Sequence, residues 1–446
     1  MTEDYRSAAD AVADDIAAGR LRPGDRLPTQ RAFARAHGIA NSTAARVYRE
    51  LTRRGLVVGE VGRGTFVRAD PPAPGPALAE PAAHRVDLEL NYPLAGRQTE
   101  LLAAGLAPLL RPDMLESALR PVGATGTPAA REAVAALLAR PGWRPAPDRV
   151  LFAGSGRQAM AAAVAALVPP GGRLGVEELT YPVLKAVAAR LGVTLVPLAT
   201  DGAGVRPDAL AAACRTGRPH ALYLQPTLHN PLATTMPPGR RAELAEALER
   251  WDLYAIEDTI WAFLCDGPAP LAADAPDRTL VIDSLSKRLA PGLTAGFAVA
   301  PPRLADRYAA ALRSGGWTAA RFPLAAATRW IGDGTVDRLV RAKRDDAAAR
   351  QRIAATRLAG FTLRTDPAAY FCWWELPAPW RAETFVAAAA RRGIAVTPAA
   401  AFVVGTGRAP GAVRVGLASP PPEVLGAALD TLAALARRTP EDVDAY

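Results

Sequence analysis

The segment Ser284–Leu293 reads SLSKRLAPGL and carries, at Lys287, one of three lysines in a chain of 446 residues. The other two are Lys185 and Lys343, so nearly all of the 53 lysines and arginines are arginine. A lysine with a lowered pKa forms a Schiff base with a carbonyl compound, whereas a guanidinium stays protonated and does not. Because Lys287 closely follows the apolar run Leu280–Ile282, it is a candidate nucleophile at the end of a strand.

Short apolar runs alternate with helical stretches around this segment and predict a parallel sheet. Strands separated by helices form βα units, whose strands lie parallel and whose helices cover the sheet. We therefore predict an α/β fold with a mainly parallel central sheet. The five runs are Val150–Phe152, Leu174–Val176, Ala221–Leu224, Leu253–Ile256 and Leu280–Ile282.

Polar residues follow each predicted strand at its carboxyl end, where parallel sheets bind their ligands. The loop Gly154–Gln158 follows the first strand and opens a helix, whose N-terminal amides suit a phosphate. Taken singly, these residues have ordinary structural explanations, such as a helix cap at Asp258 or a core aromatic at Tyr181. Their order along the sheet favours one shared site instead. The candidates are Ser155, Gly156, Arg157, Tyr181, Asn230, Asp258, Ser284, Ser286 and Lys287.

The pattern changes on both sides of these strands and predicts four segments. Residues 69–86 are rich in Pro and Ala and form a linker between the N-terminal domain, residues 1–68, and the large domain, residues 87–341. From residue 342 to 446 we predict a smaller α+β domain, with a long helix, strands near Tyr370–Leu376 and Ala412–Leu417, and a last helix from Pro422.

The N-terminal domain combines three predicted helices with a hairpin. The first helix spans Tyr5 to Ala18, Thr29 caps the second, and Ser42 caps the third. Two short strands follow, joined by a turn that carries Arg63 at its tip.

Charge is concentrated in this N-terminal domain. Residues 20–68 contain 11 arginines and three acidic residues, an excess nearly equal to the net charge of the whole chain, +9. Such a local excess favours a polyanionic partner, although charge alone is equally compatible with a solvated surface.

Other features narrow the class of protein. The acidic start Met1–Asp4 and the lack of a long apolar run predict neither a signal peptide nor a membrane anchor. The cysteines Cys214, Cys265 and Cys372 are far apart and odd in number, so we expect a protein of the reducing cytoplasm with neither disulfides nor a metal site.

The N-terminal domain resembles the winged helix-turn-helix of the GntR regulators. The resemblance rests on the turn PGDRLP at residues 23–28 and the wing GRGTFV at residues 62–67. It implies binding to a double-stranded DNA operator, with the third helix in the major groove. Asn41 stands where the family usually has arginine, which alters the expected base preference. The DNA-binding candidates are Arg31, Asn41, Ser42, Thr43, Arg46 and Arg63.

From about Val86 to Arg438, the chain resembles the fold type I enzymes that use pyridoxal 5'-phosphate (PLP), in the MocR version fused to GntR domains. The resemblance implies that Lys287 bonds covalently to PLP and that Asp258 pairs with the pyridine nitrogen. Asn230 would bind the ring hydroxyl, and Tyr181 would stack on the ring. Ser155, Gly156, Ser284 and Ser286 are placed for the phosphate, and Arg414 matches the arginine that binds a substrate carboxylate.

Three positions depart from the MocR pattern. Ile260 replaces a tyrosine that binds the ring oxygen, and Thr294 replaces an arginine that binds the phosphate. Arg157 or Arg288 is then expected to supply the missing charge. The tyrosine that normally reaches the site from a partner subunit is absent near Pro121–Gly123. These departures predict PLP binding with inefficient turnover.

Three functions remain open at this point. The first is a dimeric transcription regulator that senses an amine, an amino acid or PLP itself, and couples that site to DNA binding. The second is a working aminotransferase with a DNA-binding appendage, since fold does not settle function. The third is a regulator whose PLP pocket is purely structural.

Overall fold

The computed structural model describes residues 5–18, 20–22, 25–54, 56–60, 64–67, 86–405 and 409–440. The predicted linker, apart from its last residue, and the wing residue Arg63 lie outside these ranges. The N-terminal unit has the predicted winged form. Its elements are α1 (Tyr5–Ala17), α2 (Gln30–Ala36), α3 (Asn41–Arg53), β1 (Val57–Glu60) and β2 (Gly64–Val67).

The helix starts of this unit follow from local hydrogen bonding. The Thr29 hydroxyl accepts a bond of 3.2 Å from the Ala32 amide, which confirms the predicted cap of α2. The predicted cap at Ser42 is wrong, because α3 already begins at Asn41, with Ala40 as its N-cap. The Ala40 carbonyl accepts a bond of 3.0 Å from the Ala44 amide, so this helix starts two residues earlier than the predicted cap at Ser42.

One apolar face of each helix forms the core of this unit. Ala9 and Val12 of α1 pack with Phe33 of α2 and with Val47 and Leu51 of α3. The opposite face of α3 is exposed. Packing of α3 into this core therefore determines which side of α3 a partner can contact.

After β3 (Val86–Asp87), the chain forms a seven-stranded central sheet in the order β4-β12-β11-β10-β9-β5-β6. All neighbouring pairs are parallel except those of β12, which runs antiparallel to β11 and β4. The predicted α/β fold is confirmed. The strands are β4 (Val150–Ala153), β5 (Arg173–Glu177), β6 (Thr194–Leu198), β9 (Ala221–Leu224), β10 (Tyr254–Asp258), β11 (Thr279–Ser284) and β12 (Gly296–Val299); β7 (Thr200–Asp201) and β8 (Gly204–Val205) form a separate hairpin.

Helices pack on both faces of this sheet because successive residues of its strands point to opposite sides. On β11, for example, Leu280 and Ile282 belong to one apolar cluster and Val281 to another. The helices are α4 (Gln98–Leu106), α5 (Pro112–Ala118), α6 (Pro128–Leu138), α7 (Gly156–Leu167), α8 (Pro182–Arg190), α9 (Pro207–Gly217), α10 (Pro238–Arg250), α11 (Leu271–Asp274), α12 (Leu285–Arg288), α13 (Pro302–Ser314) and α14 (Arg321–Gly332).

A smaller layer follows, with a four-stranded sheet in the order β13-β14-β17-β16. Its first helix, α15 (Thr335–Arg357), begins before residue 342 and runs through the proposed boundary between the large and small domains. Strand β3 pairs with β15, so the chain enters the large domain by way of the small one. The elements are β13 (Thr362–Arg364), β14 (Phe371–Glu375), α16 (Ala382–Ala390), β15 (Ile394–Ala395), β16 (Thr397–Pro398), β17 (Ala412–Gly416) and α17 (Pro422–Ala436).

We predict that Gly296→Ala lowers the free energy of unfolding by at least about 1–3 kcal/mol. A Cβ atom at Gly296 would lie 2.2 Å from the Ser155 carbonyl oxygen, so β12 would have to move away from that loop. Thermal unfolding measures the loss. In the control Gly239→Ala, in α10, the added Cβ meets nothing within 4 Å, so the melting temperature should hold or rise. Equal melting temperatures for the two variants would contradict this close approach.

Candidate cofactor pocket and DNA-binding surface

A cavity of about 350 Å³ lies where the carboxyl ends of the parallel strands meet the small layer. The cavity brings together ten of the pocket residues predicted from the sequence. They are Ser155, Gly156, Arg157, Tyr181, Asn230, Asp258, Ser284, Ser286, Lys287 and Arg414. The main-chain segment Glu89–Tyr92, which follows β3, forms part of the opposite wall.

Lys287 lies in the short helix α12, directly after β11. Its Nζ donates a hydrogen bond of 2.5 Å to the Asn91 carbonyl and lies 4.7 Å from the ring centre of Tyr92 and 5.2 Å from that of Trp261. Burial, followed by the positive charges of Arg157, Arg414 and Lys343, lowers the pKa of Lys287 to about 7. A large share of this amine is therefore neutral, and nucleophilic, near neutral pH.

A second lysine holds the turn that carries the first. Lys343 of α15 is fully buried, and its Nζ donates to the carbonyl oxygens of Lys287 at 3.0 Å and Leu289 at 2.6 Å. These bonds tie α15, which continues into the small layer, to α12. The sequence singled out Lys343 only by its rarity, because nothing in its helical surroundings marks it as a partner of Lys287.

Asp258 ends β10 at the base of the cavity and accepts three hydrogen bonds. Its Oδ2 accepts from the Tyr223 hydroxyl at 2.6 Å and from Gln225 Nε2 at 3.0 Å, and its Oδ1 accepts from the Ile260 amide at 3.0 Å. Burial nevertheless raises the pKa of Asp258 to about 6. Sequence analysis missed Tyr223 and Gln225 as partners, because both look like ordinary residues of a buried strand and its end.

Small polar groups form a cradle at the start of α7. Ser155 is the N-cap of α7, and its hydroxyl accepts from the Gln158 amide at 3.3 Å. Ser286 lies between two other hydroxyls, 3.0 Å from that of Ser284 and 2.9 Å from that of Thr294. The cradle leaves little room, since a Cβ at Gly156 would lie 2.9 Å from the Ser284 hydroxyl oxygen.

The two arginines proposed to replace the missing phosphate ligand differ in position. Arg157 lines the cavity, and its interaction with Tyr181 raises its pKa. Arg288 is not among the residues that line the cavity: its side chain is buried, 2.6 Å from Asp283 and against the ring of Phe263. Arg288 is therefore corrected from a cofactor ligand to a structural ion pair with Asp283, which lies two residues before the start of α12.

Arg414 lies in β17 on the small-layer side of the cavity. Its Nη1 donates to Asn230 Oδ1 at 3.0 Å, and its Nη2 donates to Thr397 Oγ1 at 3.2 Å and to the Glu89 carbonyl. Its buried Nε has no partner among the described residues. Burial lowers the pKa of Arg414 to about 10, so the guanidinium remains charged and keeps donors for an anion.

Polar and basic side chains cover the outer face of the N-terminal unit. Arg31, Asn41, Ser42 and Arg46 are exposed, whereas Thr43 is half-buried. The Arg46 guanidinium lies 4.3 Å from the ring centre of Tyr5, so α1 supports it from below. This face presents the first turn of α3 to solvent, the part of a recognition helix that contacts base edges.

Two separate parts of the chain match known families. Residues 4–67 match the bacterial regulatory proteins of the gntR family, and residues 114–432 match the aminotransferases of class I and II. The HTH-type transcriptional regulator YdeF of Bacillus subtilis is 31% identical over 418 residues, which cover 93% of this chain and 90% of YdeF. The chain belongs to the MocR subfamily of GntR transcription regulators.

Other relatives extend the comparison. The HTH-type pyridoxine biosynthesis transcriptional regulator PdxR of Corynebacterium glutamicum is 26% identical to this MocR protein, over 64% of this chain and 63% of PdxR. Among solved structures, LysN, the α-aminoadipate aminotransferase of Thermus thermophilus in complex with N-(5'-phosphopyridoxyl)-L-leucine, superimposes with a TM-score of 0.70 at 23% identity. The match covers 81% of this chain and 93% of LysN. The aminotransferase fold implies dependence on PLP.

The pocket of this MocR regulator and its DNA-binding unit thus lie in one chain. The protein is a DNA-binding transcription regulator with an aminotransferase-like domain. None of the described helices combines the length and the hydropathy that a membrane span requires.

We predict that Lys287→Met stabilises the PLP-free protein, and more at pH 6 than at pH 9. The depressed pKa means that the folded chain holds this proton less tightly than the unfolded chain. The cost of the buried charge is therefore fully present below pH 7 and declines as the pH rises towards the ordinary lysine value. Melting temperatures at the two pH values provide the measurement.

Lys185→Met serves as the matched control for this experiment. Burial also lowers the pKa of Lys185. Lys185, however, donates to two carbonyl oxygens, those of Ala401 and Val403, at 3.0 and 2.7 Å, so we expect its loss to lower the melting temperature at both pH values. A Lys287→Met variant that is less stable than the wild type at pH 6 would disprove the charged, desolvated state of this amine.

Proposed function

We propose that the aminotransferase-like domain binds PLP at Lys287, senses an amine, an amino acid or PLP itself, and thereby controls binding of the winged domain to a DNA operator. The observation that supports this most is the cavity itself. A neutralisable lysine, a buried carboxylate, a hydroxyl cradle and an arginine meet there, on the chain that carries the DNA-binding unit.

The donor set fits the phosphate of PLP. The first amides of α7 and the hydroxyls of Ser155, Ser284 and Ser286 offer hydrogen bonds to phosphate oxygens, and an N-terminal helix end favours an anion. Thr294 adds a further hydroxyl to this group, 2.9 Å from that of Ser286. Arg157, in the first turn of α7, is then the cation that balances the phosphate charge.

The remaining residues fit the ring. Asp258 would hold a proton on the pyridine nitrogen, Asn230 would bind the ring hydroxyl, and Tyr181 would pack against the ring face. PLP, when bound, supplies an electron-poor ring with a carbonyl that reacts with amines. Lys287 would bond covalently to that carbonyl carbon, and an incoming amine would compete with Lys287 for the same carbon atom. Arg414, with its free Nε, would bind a carboxylate of the incoming molecule.

A buried ion network offers a path from this pocket domain to the recognition helix. Asp10 of α1 accepts from Arg54, which follows α3, at 2.8 Å and from Arg381, the N-cap of α16 in the small layer, at 2.5 Å. Movement of the small layer on effector binding would be transmitted through Asp10 to α3. Two sites coupled in this way bias each other's affinity by the same factor.

Assembly and location follow from the same proposal. We infer a homodimer whose symmetry matches two DNA half-sites, and a cytoplasmic protein held at the nucleoid by its operator.

A working aminotransferase is the second candidate function, because Lys287, Asp258 and Arg414 lie in one cavity. These residues are sufficient in kind for transfer of an amino group. Steady production of a keto acid from an amino donor by the PLP-loaded protein would support it. The absence of turnover, together with an effect of the same amino donor on operator binding, would support the sensor.

We predict that Lys287→Ala abolishes the visible absorbance band of the PLP-loaded protein but leaves basal operator binding largely intact. The lysine forms the bond that produces the band, whereas the DNA-binding face lies in another domain. Absorbance spectra and mobility-shift titrations measure the two effects. A wild-type band that persists in the variant would refute the assignment of Lys287.

We predict that Arg31→Ala and Arg46→Ala each weaken operator binding, because both side chains are exposed on the face that presents α3. Binding that depends on phosphate contacts also loses part of its salt dependence, about one unit of slope for each contact. Arg215→Ala, an exposed arginine of α9, is the control with the same charge change. Equal affinities for all three variants would argue against this face.

A further inference from the structure

Glu89 is a carboxylate on the cavity wall to which the proposed binding of PLP gives no role. It follows β3 in the segment that crosses the cavity opposite Lys287. The Glu89 carbonyl accepts from Arg414, and the Glu89 amide donates to Asp87 Oδ1 at 2.8 Å. These two hydrogen bonds hold the main chain of Glu89 in place, so its side chain has a defined position at the cavity wall.

The other two acids of the cavity wall are already engaged. Asp258 accepts three hydrogen bonds within the protein, and Asp283 pairs with Arg288 at 2.6 Å. The carboxylate of Glu89 has neither a hydrogen bond nor an ion pair within the described residues. It is half-buried, so water solvates it only in part. A carboxylate in this state gains most from a cationic partner that enters the cavity.

The pKa of Glu89 in the ligand-free protein supports a cationic partner. Burial, and then the negative charge of Asp87, raises the pKa of Glu89 to about 7, although the positive charge of Arg414 acts in the opposite direction. A ligand ammonium beside it would lower that pKa again by favouring the charged form. A second carboxylate on the ligand would instead be repelled. Glu89 therefore distinguishes between ligands by the charge at the end that lies away from the reacting amine.

We infer that Glu89 selects an effector with a second amino group: a primary amine that carries a further, distal ammonium. This inference rests on the proposed function, since the first amine is the one that reacts at the Lys287 site. The reacting amine lies at Lys287 and the distal ammonium lies at Glu89. Where the ligand is a dibasic amino acid, its carboxylate lies at Arg414, which also distinguishes that source from a simple diamine.

Matched ligand pairs test the inference on the full-length, PLP-loaded protein. L-ornithine and L-norvaline differ in the distal amino group, as do L-lysine and L-norleucine, and 1,4-diaminobutane tests a diamine without a carboxylate. Calorimetric titration should give a dissociation constant roughly 10- to 100-fold lower for at least one dibasic member than for its neutral partner, the range for a hydrogen bond between charged groups. This preference should shrink from pH 8 to pH 6, as Glu89 becomes protonated.

Glu89→Gln keeps the size of the side chain and removes its charge. It should bring the ratio of dissociation constants within a pair close to one, whereas Glu89→Asp should keep part of the preference. Melting temperatures establish that the variants are folded. A better ligand in the diaminobutane arm than in the ornithine arm would assign the effector to diamines, and the reverse would assign it to dibasic amino acids.

Two results would overturn the inference in distinguishable ways. Equal affinities within every pair, with a clear response of the visible band to both members, would refute the role of Glu89 and leave the proposed sensor intact. A protein that forms no visible band with PLP, or whose band responds to no amine, would refute the sensor and the inference together.

Discussion

The amine of Lys287 is held in a half-enclosed cavity among positive charges, and this constraint organises the rest of the site. Arg157, Arg414 and Lys343 all oppose protonation of that amine. A buried charge of one sign is costly unless a partner of the opposite sign compensates for it. The cavity therefore favours a ligand that brings negative charge to the α7 cradle and a carbonyl to the lysine, which are the two features that PLP combines.

The central sheet and the small layer both contribute residues to the cavity around Lys287. The central sheet provides Lys287, Asp258 and the α7 cradle at the carboxyl ends of its strands, whereas β17 of the small layer provides Arg414. Helix α15 belongs to both layers and holds the Lys287 turn through Lys343. A shift of the small layer would therefore alter the site, and by way of Arg381 and Asp10 it would also reach the recognition helix.

Sequence reasoning predicted five of the seven strands of the central sheet, missing β6 and β12. It also predicted most of the cavity, because parallel sheets collect their ligands at one edge. It failed where contacts depend on packing between distant segments. Arg288 follows Lys287 directly, yet one step along a helix turns the side chain by about 100°. This rotation directs Arg288 to Asp283, and Arg288 does not line the cavity. Tyr223 reads as a core residue of β9, and only the register with β10 brings its hydroxyl to Asp258. Glu89 lies in a segment without any motif, and pairing of β3 with β15 places it at the cavity.

Trapping of the cofactor tests the central claim most directly. The full-length protein is loaded with PLP, reduced with borohydride and digested, and the modified peptides are mapped by mass spectrometry. The account predicts a phosphopyridoxyl group on Lys287 in stoichiometric amount. Modification of Lys185 or Lys343 instead, or an unmodified Lys287 peptide in the loaded protein, would contradict it.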